Sequence, residues 1–242
     1  MAWLWVGFAV MMAYGIEAMT GFGSIVLALS LSALVFDLQS LVPVMVTLNI
    51  LMTGPLVIRH RAHIQWPLLL TRVLPLMLAG TATGIIITPY VPGAWAKFLF
   101  ALLIIWFALR ALLQQQPPAM LPLRRDITIT GAGITHGLFA SGGPLLVYAI
   151  ARLGLNKSQF RATLLTVWLT LNASMTLWFF FSGRLQQHYQ HILWLIPCVA
   201  VGALAGNALH HKINETVFLR VVFMLLLVVG GILAALSLPV LL

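Results

Sequence analysis

Two short runs, "TGFGS" at Thr20 to Ser24 and "SGGP" at Ser141 to Pro144, interrupt strongly apolar segments of the chain. Glycine pairs weaken a helix. A helix that breaks and restarts exposes unpaired backbone N–H groups where its second arm begins, at the positive end of the helix dipole. Such an end binds anions, and glycine lets the ligand approach the backbone closely. Thr20, Gly21, Phe22, Gly23 and Ser24 form one candidate half-site, and Ser141, Gly142, Gly143 and Pro144 the other. Thr20, Ser24 and Ser141 supply hydroxyl donors, and Pro144 suits a first helical turn, where its missing N–H costs nothing. The alternative is that these glycines only allow close helix packing, as small-x-x-x-small patterns do in membranes. Duplication of the break favours the site. Gly80-x-x-x-Gly84 and Gly202-x-x-x-Gly206 are expected to be packing glycines.

Four further polar residues stand in apolar surroundings. Asn49 and Asn172 occupy matched positions and are candidate amide donors to the ligand, with interhelical hydrogen bonding as the plainer role. Glu17 lies one turn before the first break, and an intramembrane carboxylate is a functional candidate by default. It is a candidate acceptor for a coupling proton, since a fixed negative charge would oppose an anion. His136, five residues before Ser141, is the second proton-coupling candidate, against a packed or hydrogen-bonded structural role. Ser141 with nearby His136 also raises an intramembrane serine hydrolase as a rival. Phe139 stands where Gly-x-Ser-Gly needs glycine, and no second-helix partner is evident, so an enzyme is not expected. The single Cys198 lies in an apolar run and offers neither a disulfide nor a metal site, and no cofactor is implied.

These residues need elements to position them, and composition says which kind. Of 242 residues, 62% are hydrophobic and only 7% charged, too few charges to cover a soluble domain. Several apolar runs reach the roughly 20 residues that cross a hydrocarbon core of about 30 Å. Segments are expected at about 2–20, 22–36, 41–58, 67–88, 94–113, 127–140, 143–154, 161–182, 191–210 and 216–240. The polar stretch 114–126, "QQQPPAMLPLRRD", reads as a cytoplasmic linker between a first repeat over 1–113 and a second over 127–242. The opening "MAWLWVGF" has no basic leader pattern and reads as mature helix. The net charge of +9 is scattered between apolar runs, which argues against nucleic acid and for a positive-inside bias.

The halves match in order at an offset of about 120: the two breaks, Asn49 with Asn172, Pro75 with Pro197, and the two Gly-x-x-x-Gly runs. Internal repeats of this kind mark secondary transporters. If each break lay within one continuous crossing, the 13 Lys and Arg residues would divide almost evenly between the two sides. If each break turns the chain back as a hairpin, only Lys97 and Arg184 lie outside, against eleven inside. The expected fold is therefore an all-α polytopic membrane protein. It has two inverted repeats, each a glycine-broken helical hairpin followed by three transmembrane helices, with both termini outward. Two breaks so related would offer two positive helix ends to one small anion.

The runs "GIEAMTGFGSIVLALSLSALVF" and "GITHGLFASGGPLLVYAIARLG", with the basic turn followed by "IQWPLLL" and a Gly-x-x-x-Gly helix, resemble the TauE/SafE family over nearly the whole chain. Many of its members carry a fuller glycine run in both halves, where this chain has Gly21-Phe22-Gly23 and Ser141-Gly142-Gly143. The resemblance implies a transporter of small sulfur-containing or carboxylate anions, such as sulfite or a sulfonate, in the bacterial inner membrane. Export by alternating access is the expected activity, with a passive anion channel as the alternative. The expected partners are the anion, the lipid bilayer, a coupling proton or sodium ion, and a second copy of the chain in a homodimer.

Overall fold

The computed structural model describes residues 2–20, 22–113, 120–151, 153–209 and 215–241. Among them it contains ten helices. The first five are α1 (Ala2–Thr20), α2 (Ser24–Ser32), α3 (Leu38–His60), α4 and α5 (Gly93–Leu113). Here α4 joins Trp66–Leu68, a π-helical turn at Leu69–Val73, and Leu74–Ile87. The second five are α6 (Pro122–Phe139), α7 (Gly143–Ile150), α8 (Lys157–Phe181), α9 (Tyr189–Leu209) and α10 (Glu215–Leu241). Seven of these, all but α2, α6 and α7, are long and apolar enough to cross a membrane. The protein is an all-helical, multi-pass membrane protein.

Helices suit this chain because a backbone in hydrocarbon must satisfy its own hydrogen bonds. Where a helix starts in a polar loop, side chains take over. Asn156 accepts from the Gln159 N–H at 2.9 Å while Gln159 Oε1 accepts from the Asn156 N–H at 3.1 Å, a reciprocal cap that starts α8. α6 starts at Pro122 and not near 127 as expected, so residues 122–126 of the expected linker are helical. Pro122 pre-sets the first turn, and Asp126 is drawn in by a two-point pair with Arg72 of α4, at 2.9 and 3.1 Å. Residues 114–119 of that linker lie outside the described residues.

The first break turns the chain back on itself. The Ser24 N–H, opening α2, bonds Glu17 in the last turn of α1, whereas Trp5 Nε1, near the start of α1, donates to the Leu31 carbonyl at the end of α2. α2 therefore runs antiparallel to α1. At about 1.5 Å per residue its 9 residues reach about 14 Å, half a bilayer core. In the second half, 8-residue α7 packs back against 18-residue α6.

The remaining helices pack as pairs: α1 along α9, α4 along α6, α3 along α8 and α5 along α10. Glycines set two of these contacts, as expected for Gly80, Gly84, Gly202 and Gly206. A Cβ on Gly80 would meet the Thr130 carbonyl and the Gly133 Cα, and one on Gly84 the Ile134 carbonyl and the Gly137 Cα. Across α1 and α9, a Cβ on Gly202 would meet the Met11 carbonyl and one on Gly206 the Gly15 carbonyl. Backbones approach this closely only where no side chain intervenes.

Candidate functional site

The polar groups at the first break are bonded to one another. Gly23 caps α2 at φ 99°, a left-handed conformation that costs glycine little. This turn brings the Ser24 N–H to Glu17 Oε2 at 3.2 Å. The same oxygen accepts from Asn49 Nδ2 of α3 at 3.0 Å, and that amide also donates to Ser24 Oγ at 3.1 Å. Glu17 is 2% exposed and Asn49 1%. With Oε2 accepting, the Asn49 amide turns its Nδ2 end toward Glu17 and its Oδ1 end away. Asn49 Oδ1 is left to accept from Asn172 Nδ2 of α8, at 2.7 Å. One hydrogen-bonded chain thus runs from Glu17 in the first half to Asn172 in the second.

The second break is built differently. α6 ends on Ala140, at φ 51° and ψ 24°, whose N–H bonds the His136 carbonyl at 2.6 Å. The Ser141 hydroxyl donates to the Phe139 carbonyl at 2.9 Å, and neither ring nitrogen of His136 makes a hydrogen bond of standard geometry, the Asn172 side chain being its polar neighbour. No nucleophile–base pair is therefore formed. His136 is 1% exposed, with its ring stacked on Trp168 at 5.9 Å between centroids. Asn172 Oδ1, fully buried, makes none either.

Between the breaks lies a cavity of about 20 Å³, room for about one water. Glu17, Gly23 and Asn49 line it from the first half, and His136, Ser141, Gly143 and Asn172 from the second. Ser24 joins through its bonds to Glu17 and Asn49. The other expected site residues stand elsewhere. Gly142 is held against α6, where its Cβ would meet the Ala132 carbonyl and approach His136 Cβ to 3.0 Å. Pro144 takes the expected first-turn position in α7. With Phe22 it borders a separate pocket of about 210 Å³, where the Arg110 guanidinium lies 3.6 Å over the Tyr148 ring. Gly21 and the Thr20 side chain lie outside the described residues.

Two residues of this region carry no signal in the sequence. Trp168 of α8 lines the cavity against His136. Arg161, on the same helix, donates to the Ala18 carbonyl at 2.7 Å, placing a cation on the open C-terminal end of α1, where the dipole favours it. Among the described residues no three His, Cys, Asp or Glu side chains are grouped to hold a metal. The arrangement gathers an N-terminal helix amide, two side-chain amides, a carboxyl and an imidazole around one small cavity.

Residues 6–233 match the sulfite exporter TauE/SafE family. The chain is also 26% identical over 162 residues, 65% of its length, to the probable inner membrane transporter protein TsaS of Comamonas testosteroni, covering 68% of that protein. No solved structure matches. The chain belongs to the TauE/SafE family, and it is a membrane transporter and not an enzyme.

Proposed function

We propose that this TauE/SafE family member is a secondary carrier that exports a small oxyanion, such as sulfite or a sulfonate, with the anion held between the N-terminal ends of α2 and α7. The observation that carries this reading is the small cavity between the two breaks. It is lined from both halves, and Glu17 Oε1, the His136 ring nitrogens and Asn172 Oδ1 at it make no hydrogen bond of standard geometry. Buried polar atoms are rarely left unpaired without a reason, and a ligand is one. A cavity of about 20 Å³ holds no oxyanion as it stands, so the site must open to load. That favours alternating access over an open channel.

The site comprises Gly23, Ser24, Asn49, Ser141, Gly143 and Asn172, with Phe22, Gly142 and Pro144 shaping the two turns. Glu17 and His136 are the two candidate carriers of the coupling proton. The two repeats, 1–113 and 127–242, are inverted copies. In support, exchanging α1–α5 with α6–α10 turns the α1–α9 pair into the α6–α4 pair and maps the α3–α8 and α5–α10 pairs onto themselves.

The basic turns face the cytoplasm and both termini face outward. The Gln65 N–H bonds Thr163 Oγ1 at 3.1 Å, bringing the turns near 61 and 157 to one end of the molecule. Lys97 pairs with Asp37 at 3.5 Å beyond the opposite end of α3. Arg152 and Lys212, two of the eleven inward cations, lie outside the described residues. The name of the TsaS relative supports the bacterial inner membrane as the location.

The test is flux into liposomes containing the protein, measured for sulfite, small sulfonates and small carboxylates. Saturable uptake of at least one of them is expected, and none for any would refute the reading. Cysteine labelling should find residues 59–63 and 155–160 on one side, and opposite sides would refute the topology.

A further inference from the structure

The donors that an oxyanion would use at the first break are already taken. The Ser24 N–H and the Asn49 amide both point at one oxygen, Glu17 Oε2, at 3.2 and 3.0 Å. Relative to α2, this carboxylate stands where a transported anion would stand. The second break has no such occupant. His136 precedes the first residue of α7 by the same seven positions that separate Glu17 from the first residue of α2. Its ring nitrogens make no hydrogen bond of standard geometry, and no side chain caps α7.

We propose that Glu17 is the resident anion of the transport site, and that the transported anion binds by displacing it as the neutral acid, so that one proton travels with each anion. The proposal rests on the anion site described above and names what empties and refills it. Two negative charges cannot share one set of donors in a dry cavity without one taking up a proton. Space leads to the same result, since a cavity of about 20 Å³ cannot hold an oxyanion while the carboxylate keeps its place. Once protonated, the carboxyl loses its charge, holds Ser24 and Asn49 less strongly, so that the anion can take them, and gains an O–H donor of its own. The anion then meets the α2 amide, Asn49, His136 and the new O–H together. When it leaves, Glu17 ionises and its Oε2 retakes both donors.

The groups facing Glu17 allow this exchange. Tyr14, one turn earlier on α1, is tied to the Met45 carbonyl at 2.9 Å. Arg161 of α8 is bonded to the adjoining Ala18 carbonyl, and His136 of α6 faces Glu17 across the cavity. α2 carries no titratable side chain, and on α9 Cys198 lies beside Gly7 and His191 stacks on Trp3, both toward the far end of α1.

The test is calorimetric titration of the purified full chain with methanesulfonate, which stays ionised throughout, in two buffers of different ionisation enthalpy. One proton taken up per anion is expected, with affinity falling about tenfold per pH unit on the alkaline limb. The Glu17→Gln protein should bind with no proton uptake and a flat pH profile. Anion binding by the unaltered protein without proton uptake would overturn the proposal and leave the anion site standing. Proton uptake that persists in Glu17→Gln would overturn it in favour of His136. Failure of methanesulfonate, sulfite and acetate to bind at any pH would overturn the anion site and the proposal together. Proton counting on the unaltered protein decides the matter even if the variant does not fold.

Discussion

At the first break the chain turns through Gly23, and nothing lies within 4 Å of where its Cβ would be. At the second it turns through Ala140, and the tight fit falls two residues later on Gly142, pressed against the Ala132 carbonyl. Hydrogen bonding shows the reverse contrast. Glu17 in the first break is committed to Ser24 and Asn49, whereas neither ring nitrogen of His136 in the second makes a hydrogen bond of standard geometry. One break is held by polar contacts and has steric slack, and the other is locked by packing and has polar capacity to spare. A site assembled from both can therefore keep its shape at one end while exchanging partners at the other.

The contrast can be broken by substitution, and the steric half gives the largest effect. Gly142→Ala should lose about 3 kcal/mol of stability in thermal unfolding in detergent, because its Cβ meets rigid backbone. Gly23→Ala should lose about 1–2 kcal/mol, the cost of an L-residue in the left-handed region. Equal losses would remove the distinction. Next comes the polar half. Glu17→Ala leaves the Ser24 N–H and one Asn49 donor buried without an acceptor, and about 2 kcal/mol should be lost in the same assay.

Arg161→Gln sharpens the comparison further, since it removes the cation on the broken end of α1. A loss of about 1 kcal/mol is expected. The smallest stability effect belongs to His136→Leu, expected within about 0.5 kcal/mol of the unaltered protein because no hydrogen bond of standard geometry is lost. Anion affinity should nonetheless fall about tenfold, the worth of one charge-assisted hydrogen bond. A large stability loss with unchanged affinity would make His136 a structural residue.

Much of this site could be read in advance because its residues are polar in an apolar background. Glu17, Asn49, His136 and Asn172 stand out against long hydrophobic runs, and the structure brings all four to one cavity. The breaks were legible because Gly21-Phe22-Gly23 and Gly142-Gly143 leave few other local outcomes. The close packing of Gly142 on the Ala132 carbonyl could not be read in advance, since only the path of α6 decides what lies beside it. Arg161 could not be found. Its partner carbonyl on Ala18 is 143 positions away and belongs to the backbone, which has no sequence signature.

The sequence alone determined that the chain enters a membrane, about where its ten helices run, and that two of them are cut short by glycine. Composition and local chain stiffness settle these matters, and both are written residue by residue. Tertiary structure decided which faces meet. Lipid and protein interior are equally apolar, so hydrophobic periodicity does not mark a packing face in a transmembrane helix. That Gly80 and Gly84 would rest on Gly133 and Gly137, or that the Asn49 amide would join Glu17 to Asn172, follows only when the helices are placed together.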